Sequence, residues 1–230
     1  SLTNQEGALN HVLIDSKSLP RAGLHYLKNT LQDLLPGHFS FCEWYQEPGC
    51  CKQMPCARTA YAESAIHTDN LKVRLLKSHD FELMDPRYPL LPGMRRLVLI
   101  RDPLYVLTSW FELDRLLAHR EVLSDYGIDL KALWLRHEPE VVTHAMRVMD
   151  SNYQAISPQE VGEWLGKRSR YMQGFIERWA APANAGKQQE TDVVRYEQIN
   201  AYISRFITSI PKNVSEKCQN RINEYVEEGS

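Results

Sequence analysis

A short segment near the start of the sequence combines a turn suited to anions with an arginine. Residues 16–25, SKSLPRAGLH, join an apolar run to a helical pattern. A strand–loop–helix turn presents unpaired backbone amides and the positive end of a helix to an anion, and Arg21 adds a permanently charged, forked donor. Because the G-x-x-x-x-G-K-S/T pattern is missing, the segment predicts a phosphate site without the usual apparatus for a magnesium-bound triphosphate.

Two later segments carry groups that fit the same chemistry. Arg101 ends an apolar run, and Ser109 follows about two helical turns later; a forked arginine with a nearby hydroxyl suits a second phosphate. In Lys77-Ser78-His79 the lysine and the histidine would share one strand face, and a histidine there can take a proton from a hydroxyl. Each motif alone also has a structural interpretation, as an exposed arginine, a charged strand end before a capped helix, or a packed histidine.

Five apolar segments predict the strands that must position these groups. Residues 95–101, RRLVLIR, are the clearest buried strand, and shorter runs have the same character. The other four predicted strands are residues 8–15, 39–45, 71–78 and 191–197.

Helical patterns lie between these strands. Asp102-Pro103 predicts a helix to about residue 123, Ser157-Pro158-Gln159-Glu160 is a capping box for a helix to about Ala180, and two helices close the chain. The first helix is indicated by the spacing of Leu24, Leu27, Leu31 and Leu34, and Pro36-Gly37 would end it.

The alternation of strands and helices predicts an α/β fold with a central parallel sheet flanked by helices. Ligands of such sheets bind beyond the carboxyl ends of the strands. That rule directs attention to residues 16–23, 77–80, 101–102 and 195–197, each of which carries a cation or a histidine.

Size and composition describe an ordinary globular protein. The 230 residues are 43% hydrophobic and 24% charged, which suits a single domain over residues 1–230 with a helical insertion at 124–180 on the acceptor side. A net charge of −2 gives no basic field for nucleic acid or anionic membrane. No apolar run is long enough to span a membrane, so we expect a cytoplasmic location. The sequence starts at Ser1 rather than Met, and a trimmed leader or anchor stays open. The sequence does not indicate an oligomeric state.

Four of the five cysteines fall within fifteen residues. The C-x7-C-C-x4-C spacing differs from the paired spacing of zinc sites, so reduced loop thiols, a disulfide-linked loop and a structural zinc site all stay open, in that order of preference. These residues are Cys42, Cys50, Cys51 and Cys56.

Taken in order, the motifs resemble those of sulfotransferases that use 3'-phosphoadenosine 5'-phosphosulfate (PAPS). The order is a phosphosulfate loop, Lys-x-His, an Arg-Asp-Pro strand end with a serine eight residues after the arginine, and a late Tyr-Glu strand end. The resemblance covers roughly residues 10–40, 70–112 and 190–210. It implies a P-loop nucleotide-hydrolase-like sulfotransferase fold, with PAPS as co-substrate and no metal.

The resemblance also implies roles for individual residues. Arg21 would contact the 5'-phosphate and the bridging oxygen of the leaving group, Lys77 would steady the sulfuryl oxygens, and His79 would be the general base. Arg101 and Ser109 would hold the 3'-phosphate. The remaining cofactor contacts would come from Ala22, Gly23, Leu24, His25, Tyr26 and, near the adenine, Tyr196.

The sequence departs from the family pattern at two places. Leu24 and His25 stand where the family has Thr or Ser donors, and Tyr26 follows as an aromatic residue. The late Arg-Lys-Gly loop that binds the 3'-phosphate is not evident, although Lys212 is a substitute. The expected reaction is transfer to the hydroxyl of a carbohydrate or small-molecule acceptor. A non-catalytic nucleotide- or glycan-binding relative and a nucleotide kinase are the alternatives.

Overall fold

The structure is a computed structural model, and it forms two compact units. It describes residues 11–43, 71–81, 83, 94–130, 139–152, 156–181, 191–210 and 214–229. The first unit combines the chain up to Arg101 with the part from Met172 onward, and the second comprises Asp102–Tyr171.

The first unit contains a five-stranded sheet, and every strand pairs parallel to its neighbours. The strand order is β2-β3-β1-β4-β5. The parallel α/β class predicted from the alternation of elements is therefore confirmed. The strands are β1 (His11–Ser18), β2 (Phe39–Glu43), β3 (Lys72–Ser78), β4 (Met94–Ile100) and β5 (Thr191–Arg195).

The order of the strands identifies the carboxyl end of β1 as a favourable place for a ligand. The chain goes from β1 to β2 and β3 on one side, then to β4 and β5 on the other. In open α/β sheets the connections on the two sides of such a reversal diverge and leave a crevice at the carboxyl ends of the strands. This crevice would lie at the end of β1, where the segment after Ser18 begins.

The first strand ends later than the sequence indicated. We predicted residues 8–15, whereas β1 continues through Ser16 and Lys17 to Ser18. Polar residues can extend a buried strand when their side chains are paired, and Lys17 lies 3.2 Å from the Asp15 carboxylate. The loop between β1 and the first helix is consequently shorter than predicted.

Seven α-helices are described. They are α1 (Leu24–Leu34), α2 (Pro103–Ala118), α3 (Arg120–Asp125), α4 (Pro139–Asn152), α5 (Pro158–Phe175), α6 (Ile199–Ser209) and α7 (Glu216–Glu228). In the first unit, α1 buries the four leucines that predicted it, and α6 and α7 both contact it. None of the described helices is long and apolar enough to cross a membrane.

The second unit is helical. The single helix predicted from Pro103 to about residue 123 is divided at His119, whose backbone leaves the helical region (φ −103°, ψ 17°). Asp102 caps α2 by accepting from the amides of Leu104 and Tyr105. The predicted insertion at 124–180 overlaps this unit, and its role towards an acceptor stays a prediction. A small core joins α3 to α4 through Leu123, Ile128, Leu130, Ala145, Val148 and Met149.

The predicted capping box begins α5. The Glu160 amide donates to Ser157 Oγ at 3.1 Å, and the Ser157 amide donates to the Glu160 carboxylate at 2.8 Å. The Ser157 hydroxyl also donates to this carboxylate, at 2.9 Å, and the hydrogen bonds from the Ser157 amide and hydroxyl hold the pKa of Glu160 below its usual value. The helix was predicted to reach about Ala180. It ends at Phe175 and continues as a π-helical turn over Ile176–Ala180.

Candidate functional site

The predicted site segments of the first unit meet at one edge of the sheet. Because all the strands run parallel, their carboxyl ends lie on the same side of the sheet. The segments that follow β1, β3, β4 and β5 are the four that the sequence indicated. The predicted site residues Arg21, His79, Arg101 and Tyr196 therefore lie at the same edge of the sheet.

The loop after β1 is a tight turn with two residues in left-handed conformations. The Leu19 amide donates to Leu99 O, and the Ala22 amide donates back to Leu19 O, so the Ala22 amide is used within the turn. Arg21 has φ 64° and Gly23 has φ 96°. A left-handed backbone costs a non-glycine residue about 1–2 kcal/mol. An arginine in this conformation is therefore unusual in a turn that only connects a strand to a helix.

Position 23 requires glycine for two reasons: its φ is positive, and neighbouring side chains leave no room for a Cβ atom. A Cβ at this position would lie 2.6 Å from Cδ2 of the Tyr196 ring and 2.8 Å from Cδ1 of Ile199. The Tyr196 ring thus packs directly against the first residue before α1. The absence of a side chain at Gly23 brings the end of β5 against the β1–α1 loop.

Arg101 connects the ends of three strands. Its guanidinium donates from Nη1 to Arg21 O at 3.2 Å and lies 3.7 Å from the centroid of the Tyr196 ring. A guanidinium stacked on an aromatic face keeps donors in its own plane for an anion. Arg21, Arg101 and Tyr196 are therefore one contiguous group, although the sequence separates them widely.

The geometry of His79 defines its tautomer. His79 Nδ1 lies 2.8 Å from Ser18 O and 3.2 Å from Ser18 Oγ. A carbonyl oxygen only accepts, so Nδ1 carries the hydrogen and, in the neutral ring, Nε2 carries the lone pair. This arrangement makes Nε2 the atom that can accept a proton, as a general base must.

Lys77 lies in β3, two residues before His79, and reaches towards α1. Its Nζ is 3.4 Å from His25 Nε2; because an ammonium only donates, the histidine accepts. Lys77 is buried and His25 is exposed. The Lys-x-His motif thus contacts the end of β1 through Ser18 and the start of α1 through His25.

The other predicted residues have different surroundings. Leu24 is buried as part of the α1 core. The Tyr26 hydroxyl donates to Asn200 Oδ1 at 2.7 Å, and Ser109 lies on α2 in the second unit. Their proposed nucleotide contacts stay predictions. Cys42 is buried in β2; Lys212 and the cysteines Cys50, Cys51 and Cys56 lie outside the described residues.

The sequence-based predictions missed a buried charged cluster on the neighbouring strands β1 and β4. Asp15 lies 3.2 Å from Lys17 Nζ and 3.3 Å from Arg96 Nε, with all three side chains at most 1% exposed. Burial lowers the pKa of Lys17, and the Asp15 carboxylate opposes that effect. A signal was available: Asp15, Lys17 and Arg96 are charged residues within or next to runs that otherwise predict buried strands.

The depressed pKa of Lys17 predicts a pH-dependent stability. Between its folded pKa and the ordinary value of 10.5, the unfolded chain binds more protons than the folded chain. The free energy of unfolding must then rise with pH until the pH reaches the ordinary pKa of lysine. We expect the unfolding free energy of the wild type minus that of Lys17→Met to increase as the pH rises towards 10.5. Urea unfolding at several pH values measures it.

The control for this prediction is Lys72→Met, because Lys72 is exposed at the start of β3. Its difference from the wild type should stay constant over the same pH range. A constant difference for Lys17→Met as well would contradict the prediction.

Comparisons with known proteins give no family for this chain. No protein-family model matches the sequence, and no curated protein matches it either. The structure itself defines the class as a parallel α/β protein with its candidate site at the carboxyl ends of the strands. Within the described part of the chain, no group of three or more His, Cys, Asp or Glu side chains is arranged to hold a metal ion.

Proposed function

We propose that this protein is a sulfotransferase that moves the sulfuryl group of PAPS to an acceptor hydroxyl. The observation that carries the proposal is the group formed by Arg21, Arg101 and Tyr196, which adjoins the strand end with Lys77 and His79. A ligand with phosphate at two positions and an aromatic base fits such a set of two arginines and one ring. Transfer to a hydroxyl group, such as that of a carbohydrate, also needs a group that takes the hydroxyl proton, and His79 would be that group.

The nucleotide end of the site would use Arg101 and the β1–α1 loop. Arg101 stacks on Tyr196, which the resemblance assigns to the adenine, and its guanidinium would bind the 3'-phosphate. Arg21 would reach the 5'-phosphate, with support from the positive end of α1. We also propose that the fold is of the P-loop-like sulfotransferase type.

The transfer would follow an in-line path. The acceptor oxygen attacks sulfur while His79 Nε2 takes the hydroxyl proton, and the bond between sulfur and the bridging phosphate oxygen breaks. Arg21 and Lys77 would neutralise the charge that collects on the leaving phosphate and the sulfuryl oxygens. A charged donor at a leaving oxygen is worth about 3–4 kcal/mol by comparison with oxyanion holes, and alignment of the reactants contributes about 7–11 kcal/mol.

Calorimetric titration with 3'-phosphoadenosine 5'-phosphate (PAP) tests the proposal. We expect saturable binding by the wild type and about 10–100-fold weaker binding by Arg101→Ala, because the variant loses charged hydrogen bonds to phosphate. Arg95→Ala is the matched control: Arg95 lies in β4, the strand that Arg101 follows, but donates to Ser209 Oγ at 3.0 Å. Its affinity for PAP should equal that of the wild type.

The alternatives give different results in the same experiment. A nucleotide kinase would prefer ATP with magnesium over PAP. A non-catalytic relative would bind PAP but transfer no label from radioactive PAPS to any hydroxyl acceptor in a screen of sugars and small molecules. If the wild type does not bind PAP, the sulfotransferase proposal is wrong.

A further inference from the structure

Asp80, the residue after His79, has a conformation that needs an explanation. Its φ is 47°, in the left-handed region, and its side chain is buried at 4% exposure. Aspartate adopts this conformation less readily than glycine, and a buried carboxylate is unfavourable without donors. Interactions around Asp80 must therefore stabilise both features.

Three hydrogen bonds hold Asp80 in place. Its amide donates to Ser78 Oγ at 3.1 Å, and its carbonyl accepts from the Leu83 amide at 3.0 Å. Its carboxylate accepts from Trp179 Nε1 at 2.6 Å in a buried contact. The first two bonds are local, whereas the third comes from a part of the chain that is distant in sequence.

Trp179 reaches Asp80 from the π-helical turn Ile176–Ala180. Such turns are rare and occur often at functional sites, because the extra residue changes the direction of the side chains that follow. The tryptophan is itself held, since Lys17 Nζ lies 5.4 Å and Arg96 Cζ 5.1 Å from its ring centroid. Two members of the buried charged cluster, Lys17 and Arg96, thus contact the indole that donates to Asp80.

We infer that the Trp179–Asp80 hydrogen bond is a positioning device for His79. By fixing the peptide between His79 and Asp80, it holds the imidazole where Nδ1 donates to Ser18 O and Nε2 carries the lone pair. Trp179 and Asp80 are positioning residues that act through His79. The use of the fixed imidazole as a general base rests on the proposed function, whereas its fixed tautomer does not.

The tautomer of His79 provides a test that needs no activity. Long-range proton–nitrogen NMR correlations of the uniformly ¹⁵N-labelled full chain distinguish the two tautomers. We expect the Nδ1–H form for His79 in the wild type and a mixture that includes the Nε2–H form in Trp179→Phe, which keeps an aromatic ring but loses the donor. An unchanged tautomer in Trp179→Phe would overturn the inference.

Trp164→Phe is the matched control for this variant. Trp164 Nε1 also donates to a carboxylate, that of Asp114 at 2.9 Å, within the second unit. His79 should keep the Nδ1–H form in this variant, and an equal change in both variants would refute a specific role for Trp179. If Trp179→Phe does not fold, Asp80→Asn and Asp80→Ala replace it. Asparagine retains an acceptor and tolerates the left-handed conformation, so equal tautomer mixtures in these two variants would also overturn the inference.

Kinetics then separate the two proposals. If the wild type transfers sulfuryl groups, Trp179→Phe should lower kcat by about tenfold, because small displacements of reacting groups are costly, while its affinity for PAP stays that of the wild type. Equal kcat in the two proteins would show that the bond does not assist catalysis. If the wild type shows no transfer, the proposed function fails, and the NMR result still decides whether Trp179 positions His79.

Discussion

Replacement of His79 by alanine is expected to lower the turnover of sulfuryl transfer by about 10²–10⁴-fold, the usual contribution of a general base. The physical reason is that Nδ1 donates to Ser18 O, so in the neutral ring the lone pair that can accept the hydroxyl proton is on Nε2. The affinity for PAP should change little, because His79 is assigned to the acceptor. Single-turnover transfer of label from PAPS, together with calorimetry for PAP, measures the two quantities separately.

His119→Ala is the control for this experiment. His119 Nδ1 makes the same type of contact, 2.8 Å from Arg115 O, at the end of α2, and nothing assigns it to the reaction. Its turnover should equal that of the wild type. A parallel loss of PAP affinity and turnover in His79→Ala would mean that His79 supports the site structurally, and it would contradict the assignment as a base.

Replacement of Gly23 by alanine is expected to destabilise the folded protein by about 2–4 kcal/mol, as the sum of backbone strain and overpacking. The φ of 96° is unfavourable for alanine, and the new Cβ would meet the Tyr196 ring at 2.6 Å. Since Tyr196 would have to move away from Arg101, we also expect weaker binding of PAP. Denaturant unfolding and calorimetry test the two effects.

Gly37→Ala isolates the contribution of the contact. Gly37 also has a positive φ, 78°, but a Cβ there would meet nothing within 4 Å, so this variant should cost only about 1 kcal/mol of strain. The Gly23→Ala penalty should also become smaller in a Tyr196→Ala background, because the two side chains then no longer collide. Equal penalties in both backgrounds would show that Tyr196 does not pack on Gly23.

The parts of the structure that were predicted from the sequence are those that depend on local patterns. The leucines of α1 are spaced for one buried helix face, and residues 97–100, LVLI, are a continuous apolar run shortly before a helix cap. Both patterns act over a few residues, so they are visible without knowledge of the rest of the chain. The alternation of such elements was enough to predict a parallel sheet and to direct attention to its carboxyl edge.

The length of β1 and the break in the long predicted helix were not predicted correctly. Ser16, Lys17 and Ser18 look like the start of a polar loop, and the pairing of Lys17 with Asp15 on the same strand offsets part of the cost of burying the lysine. The helix from Pro103 is interrupted at His119, without a glycine or proline to indicate it. In both cases the outcome depends on compensating interactions that local propensity does not contain.

The sequence by itself determined the type of fold and the chemical inventory of the candidate site: two arginines, a lysine, a histidine and a tyrosine at strand ends. Only the tertiary structure decided how these groups meet. Arg101 stacks on Tyr196 and donates to the Arg21 carbonyl. Trp179 donates to Asp80, although 99 positions separate the two residues in the sequence. The physical reason is that hydrophobic periodicity is a property of neighbouring residues, whereas contacts between distant residues exist only after the sheet has brought the strand ends together.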